Sequence, residues 1–487
     1  MPQVRRVQPM NSQLRLFSSE EVEAIYDKCL EFLQNKAVQV THPQGLQLLD
    51  RAGARVNFDK KHVTFPLDII ESALRSVPRN LILAGRDKKY DAVLPHPAGL
   101  FYVRANTGAR SYLDPATNAC RDMTLADVKE WGQLTEALSN IDIGCFLTPR
   151  DVPVQTADIH SFKAILENTT KPVVVQPHSL QSLEYLFELA QTVAGTVEAL
   201  SQRPQIAILS SPTTPFVFKD MDIEAIIQAA RSGVPVAAAA LPSAGATSPI
   251  TIAGTVLLAS IEVLTVLVMS QLIKPGLPVI GTINFYALDM LNGRSLTASI
   301  ESILGSAAAT QFMKDAFHIP THTLGFGTDS FVPDGQFMVE TSLKAAIISQ
   351  AGADILGAAG RLNALAANSP VQLIVDDAVA GMLKRAKSGV TVNNDTLAWE
   401  EILNTTPGDH FLKRTHTLRH CREALRSDLF ASRTWEAWNS EGAQDLYTRA
   451  LNKYRELKQH LPQPELPKEA IAEMERIVKR ADERLVK

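Results

Sequence analysis

The sequence predicts an α/β protein, a (β/α)₈ TIM barrel with helical N- and C-terminal extensions. Three observations predict it. Eight short apolar, β-branched runs recur between residues 100 and 359, starting 30 to 43 residues apart. Longer runs with helical periodicity lie between them. No Gly-rich turn of the kind that marks an open, doubly wound nucleotide-binding sheet follows the first run. Continuous apolar strands joined by helical crossovers indicate a parallel sheet covered on both faces. Eight such units are the number that closes a barrel.

The elements follow in order. Residues 1–98 read as an N-terminal helical cap with small extended pieces. The opening MPQVRRVQPMNSQLRLF is charged and lacks the apolar centre of a signal peptide. Ser18 and Glu21 form a capping box before the amphipathic run EVEAIYDKCLEFL. A second helix is predicted over HPQGLQLLDRAGA, stopping near Gly53, and VTFPLDIIESALRSVP reads as strand, Pro66 and helix. Residues 99–390 form the barrel. Its strands are predicted at 100–106, 141–147, 172–178, 205–211, 235–241, 278–285, 321–326 and 353–359. Within it, ITIAGTVLLASIEVLTVLVMSQLI has the length of a membrane span but carries Glu262 at its centre. A charge at mid-bilayer is costly, so this run is predicted as a buried helix. Residues 391–487 read as a polar, helical C-terminal extension. Its last helix starts at Pro467 in the N1 position. There Ile471, Met474, Ile477, Val478, Ala481 and Leu485 share one face, against the barrel or another subunit.

Composition narrows the function classes. Lys and Arg total 48 against 52 Asp and Glu, a net charge of −4, with no dense basic stripe. Nucleic acid is therefore not an expected partner. Four cysteines stand without a C-x-x-C pair, which fits a reducing cytoplasm and argues against a disulfide framework or cysteine zinc site.

Barrel enzymes place their chemistry at the C-terminal ends of the strands. Those ends supply Asn106, Phe146, Gln176, His178, Asn284, Phe285, Tyr286, Phe326 and Asp329, each of which also has a packing explanation. Asp329 either faces a ligand or caps the helix predicted near Pro333–Gly335. Arg361 follows the last strand and either binds a carboxylate or forms a surface ion pair. His416 and His420 are four apart, a metal-ligand spacing on a helix. No third partner is identifiable, so no metal site is assigned. No nucleophile–base pair and no S-adenosylmethionine loop stand out.

Several blocks, in order, carry a family resemblance. They are LLDRAGARV (48–56), SVPRNLILAGRD (76–87), LADVKEWGQLTEALSNID (125–142), ILENTTKPVVV (165–175), PSAGATSPITIAGTVL (242–257), GTDSFVPDGQ (327–336) and PGDHFLKRTHTLRHCREAL (407–425). In these the chain resembles the trimethylamine:corrinoid methyltransferase superfamily, over about residues 15–440. The resemblance implies a cytoplasmic enzyme that moves a methyl group from an amine to cob(I)alamin, a corrinoid carried by a cognate partner protein. Trimethylamine-using members carry pyrrolysine in the barrel. This chain has standard residues throughout, so it resembles the non-pyrrolysine branch, whose substrates are quaternary amines with glycine betaine the leading example.

The implied roles follow. Asp329 and Glu340 are expected to be catalytic. Phe146, Gln176, His178, Asn284, Phe285, Tyr286, Phe326, Phe331 and Arg361 are expected to bind the amine, Phe331 standing where many relatives have Lys. Asn106, Gln336 and His410 are expected to meet the corrinoid. Ring faces attract quaternary ammonium groups, and Arg361 suits a betaine carboxylate. A homo-oligomer is expected, with no membrane partner. Another barrel activity (a lyase or metal-assisted hydrolase) and a non-catalytic betaine-binding subunit are the alternatives that fold alone leaves open.

Overall fold

The computed structural model describes residues 14–364 and 366–486. The N-terminal stretch read for a signal peptide falls largely on residues 1–13, outside the described residues.

All eight predicted runs form strands, each shorter than its apolar run. They are β1 (Tyr102–Ala105), β2 (Gly144–Cys145), β3 (Val173–Val175), β4 (Ile206–Ser210), β5 (Val236–Ala240), β6 (Val279–Ile283), β7 (Thr321–Thr323) and β8 (Ile355–Ala359). Every neighbouring pair is parallel; Ala237 faces Ile280 and His322 faces Ile355. A parallel bridge between Arg104 and Ile143 joins β1 to β2, with Ile143 N–H donating to the Val103 carbonyl at 3.0 Å, and the ring closes. The register shifts between Leu356 and Ala359 where β8 meets β1. Ala358 there adopts φ +75°, a strained value for a side chain with a Cβ.

The helices are α1 (Ser19–Asn35), α2 (Pro43–Arg51) and α3 (Leu67–Ser76) before the barrel. In the barrel they are α4 (Leu125–Ala137), α5 (Ala157–Asn168), α6 (Leu183–Ala194), α7 (Val197–Gln202), α8 (Asp220–Ser232), α9 (Ile252–Ile273), α10 (Ile300–Phe312), α11 (Gly335–Gln350) and α12 (Pro370–Lys387). The tail holds α13 (Trp399–Leu403), α14 (Thr415–His420), α15 (Trp435–Ser440), α16 (Leu446–Gln459) and α17 (Lys468–Leu485). The Ser18/Glu21 capping box is formed. Pro467 sits at the N-cap of α17 rather than at N1, because its ψ of 138° is extended and the helix starts one residue later.

The apolar helix α9 belongs to the barrel wall. One side packs on β5 and β6 and the other is covered by α1, α2 and α3. A helix enclosed on both sides needs no polar face, which explains why its sequence imitates a membrane span. Glu262 is fully buried; its carboxylate accepts from Thr214 Oγ1 and Phe216 N–H, both at 2.9 Å. Among the described residues it is the one helix long and apolar enough to cross a membrane.

The N-terminal region does more than lead in. A hairpin of Leu81–Leu83 with Ala92–Leu94 packs Leu81, Leu83 and Leu94 against Ile143, Val174, Ala207, Ile280 and Ile355. It plugs the N-terminal end of the barrel, and among the described residues the lumen cavity lies at the C-terminal strand ends. At that end two small sheets rise from the loops. One joins the hairpin Ser111–Leu113/Cys120–Asp122 to Ala367–Asn368, and the other joins Ser243–Ala244 to Tyr286–Leu288. All four cysteines are free.

Candidate active site

Strand alternation decides which side chains enter the lumen. A cavity of about 220 Å³ lies above the apolar plug, lined by Arg104, Asn106, Gln176, Asn284, Tyr286, His322 and Arg361 among its polar residues, with Leu209, Leu241 and Leu324. That size suits a small molecule.

Arg104 projects from β1 and is 2% exposed. Its Nε donates to His322 Nε2 at 3.0 Å, and His322 Nδ1 lies 3.3 Å from Thr282 Oγ1. Burial and the Arg104 guanidinium hold His322 well below the usual imidazole range. The ring is therefore neutral, with Nε2 as acceptor and the proton on Nδ1. Gly357 makes this pair possible. A Cβ there would stand 2.6 Å from His322 Nε2 and 2.8 Å from Arg104 Nη2.

Arg361 is 1% exposed, and its Nε and Nη2 have no hydrogen-bond partner among the described residues. Burial lowers it to about 10, so it keeps its charge at neutral pH. The Asn284 side-chain oxygen is also buried without a partner. Burial raises the Tyr286 hydroxyl against the opposing pull of Arg361 and Arg104, so it stays protonated. Among the described residues, no carboxylate lines the cavity. Behind it, burial pushes Lys344 down and Asp376 up, and Asp376 accepts from Gly360 N–H, Thr341 and Gln372.

The structure gathers some of the expected residues and scatters others. Asn106, Gln176, Asn284, Tyr286 and Arg361 meet at the cavity. Asn106 Nδ2 donates to Asn368 Oδ1 at 2.6 Å. His178 stands at the rim of a larger groove of about 880 Å³, which shares Gly108 and Gln176 with the cavity and adds Arg110, Arg150, Gln155 and Arg484. Phe285, next to Tyr286, points the other way. Its ring lies where a Cβ on Gly305 would come within 2.3 Å, in the contact with α10. Phe146 packs on Phe162, and Phe326 is fully buried; both belong to the core outside the cavity. Phe331 is 63% exposed, with the Arg294 guanidinium 4.8 Å above its ring.

Asp329 does not cap α11. Its carboxylate accepts from Thr297 N–H, Thr297 Oγ1 and Ala298 N–H, which ties down the chain before α10. The cap of α11 is Asp334, which accepts from Phe337 N–H. Glu340 accepts from Thr328 Oγ1, Asp329 N–H and Gln336 Nε2, holding the same loop. Neither carboxylate lines the cavity. Gln336 and His410 are exposed. Sequence reasoning passed over Arg104 and His322. Their signal was a titratable residue inside an otherwise apolar strand run.

The chain matches the trimethylamine methyltransferase (MTTB) family over residues 1–485. It is 31% identical over 472 residues to trimethylamine methyltransferase MttB of Desulfitobacterium hafniense (strain DSM 10664 / DCB-2), covering 96% of this chain and 94% of that protein. It is 26% identical over 430 residues to the glycine betaine methyltransferase of Desulfitobacterium hafniense (strain Y51), covering 88% of each. The crystal structure of the Methanosarcina barkeri monomethylamine methyltransferase (MtmB) is similar in fold, with a TM-score of 0.54 at 10% identity, covering 93% of this chain and 90% of that one. A match over almost the whole length, on a barrel whose lumen holds a small polar cavity, establishes that the chain belongs to the trimethylamine methyltransferase (MTTB) family and is a methyltransferase of that family.

Proposed function

We propose that the protein takes a methyl group from a quaternary amine bearing a carboxylate, with glycine betaine the leading candidate, and passes it to the cob(I)alamin of a corrinoid partner protein. One observation carries the substrate half of this reading. The cavity presents the guanidiniums of Arg104 and Arg361, a neutral His322 and no acid. A bare cation is repelled by such a lining. A zwitterion places its carboxylate on the open N–H groups of Arg361 and keeps its methylated nitrogen towards Tyr286, Leu241 and Leu324. A methylated ammonium has no N–H to donate, so ring faces and shape must recognise it.

The corrinoid supplies the cobalt(I) nucleophile that accepts the methyl group. The groove fits it, because Arg110, Arg150, Gln155 and Gln181 offer donors at the cavity mouth for the amide and phosphate substituents of a corrinoid. This chain then has little proton chemistry to perform. A quaternary nitrogen leaves as a neutral tertiary amine without protonation. What remains is orientation and exclusion of water, which the plugged barrel provides. The same reading places the enzyme in the cytoplasm as a homo-oligomer, which light scattering on the purified protein tests.

The test of function is spectroscopic. Purified protein is mixed with cob(I)alamin and, in separate cuvettes, glycine betaine, carnitine, choline and trimethylamine. Methylcobalamin is expected with the carboxylate-bearing quaternary amines. Turnover of trimethylamine with none of the quaternary amines would overturn the reading.

A further inference from the structure

We propose a divalent metal site in the C-terminal extension, formed by Asp395, His416 and His420, that acts as a structural clasp. One ring nitrogen of each histidine and a carboxylate oxygen of Asp395 lie within 4.8 Å of one another. The two imidazoles lie against each other with centroids 4.2 Å apart and their planes tilted by 33°. The His416–His420 spacing is the one noted in the sequence. The third partner arrives from a loop far enough away in the chain that spacing could not reveal it.

The surroundings are those of a metal-binding histidine. His420 Nδ1 lies 2.7 Å from Glu423 Oε1, which fixes the tautomer and leaves Nε2 as the lone pair. Nε2 is shielded from solvent, has no hydrogen-bond partner, and faces Asp395 Oδ2 at 3.2 Å. A cation shared by His420 Nε2 and Asp395 Oδ2 would satisfy both atoms at once. The other oxygen, Asp395 Oδ1, is taken by Arg419 at 3.1 Å, and His416 Nε2 lies 2.9 Å from the Asp395 carbonyl. Two carboxylates and one guanidinium leave one net negative charge for the incoming ion. Imidazole and carboxylate together suit Zn(II) and its analogue Co(II), with water completing a tetrahedron. Bonds of about 2.0–2.2 Å require the ligand atoms to close by about 1.5 Å at most, within reach of side-chain rotation on α14 and in the exposed loop that carries Asp395.

The reason for a clasp lies in the packing. Among the described residues, none from 391 to 428 is buried, and Val392, Trp399, Leu412 and Leu418 are each more than half exposed. Such a stretch has no core to fix it. Metal ligation supplies the missing order where hydrophobic burial does not. The clasp holds the loop between its ligands, which carries His410.

The test uses the full chain after dialysis against a chelator, with no amine and no corrinoid, so its result is independent of the methyl-transfer reading. Co(II) is added at pH 8, where an ordinary imidazole is neutral. One equivalent is expected to give the visible d–d absorption of a tetrahedral or five-coordinate site. Zn(II) is expected to displace it and to protect residues 390–435 from proteolysis. Glu423→Gln should weaken binding by about 10- to 100-fold, as loss of an orienting partner does. The double variant His416→Ala/His420→Ala should abolish the band. If wild-type protein gives no band, His420 is an imidazolium bridging two carboxylates and the proposal fails. It fails equally if the double variant binds as tightly as wild type.

Discussion

Arg104 from β1 and Arg361 from just beyond β8 reach one lumen, and both are buried. Like charges in so enclosed a space destabilise the empty site and favour any ligand that places an anion between them. Tyr286 lines the same space, and that gives a test of how the methylated nitrogen is held. Tyr286→Ala should weaken use of a quaternary amine by roughly 1–3 kcal/mol, the sum of a cation–π contact and lost packing. Tyr286→Phe should cost much less, since the ring face survives. Melting temperature and methyl transfer are measured on both. If Tyr286→Ala lowers stability but leaves the activity of the folded fraction unchanged, the residue only packs. Residue by residue, the sequence told where strands end but not which way side chains turn. Phe285 and Tyr286 are adjacent in sequence, yet Phe285, between two strands, packs on α10 while Tyr286, which opens the next strand, lines the cavity. Asp329 looked available for a cation. Its partners, Thr297 and Ala298, come from a distant loop that no local pattern ties to it.

The eight barrel strands were legible because each is a continuous apolar run, a signal that survives without tertiary knowledge. The roof over the mouth was not. Its strands are two or three residues long, as in Ser243–Ala244 and Ala367–Asn368, and pair with segments far away in sequence. Helix α9 was legible as buried from Glu262 alone, and that residue makes a prediction for the helix. Burial pushes its carboxyl up to about 7 against the hydrogen bonds from Phe216 and Thr214. A carboxyl raised on folding binds its proton more tightly in the native state. The stability linked to it is full below its unfolded value of 4.5 and is lost as pH rises through about 7. Glu262→Gln keeps the shape and an acceptor for Phe216 N–H without the charge. It should match wild type at pH 4 and exceed it at pH 8 by roughly 1–3 kcal/mol, given about 1.4 kcal/mol per pKa unit. Urea unfolding at the two pH values reads this directly; parallel behaviour of the two proteins would show that the carboxyl does not titrate in this range.

At the scale of the whole molecule, the end of the chain returns to the functional face. Helix α17 packs Met474, Ile477, Val478 and Ala481 against the barrel, with its contacts on α5 and α6. Asp482 fastens it there, accepting from Thr156 Oγ1 at 2.6 Å and lying 3.0 Å from His160 Nε2. The consequence is that Arg484 and Leu485 form part of the wall of the large groove, facing Arg110 and Arg150 across the approach to the cavity. In the proposed reaction a protein-bound corrinoid must come to this mouth. Its encounter is then sensitive to a surface charge that the small amine, once inside the barrel, does not meet. Arg484 is exposed, so reversing its charge leaves the packing of α17 in place. Arg484→Glu should leave the melting temperature and the KM for the amine unchanged. The KM for the corrinoid protein should rise on the order of tenfold at low salt, with the difference shrinking as ionic strength grows. Free cob(I)alamin serves as the control, because it lacks a protein surface and should respond much less. An equal loss with free and protein-bound corrinoid would place the effect of Arg484 on the cofactor itself. No loss with either would remove the C-terminal helix from the docking face.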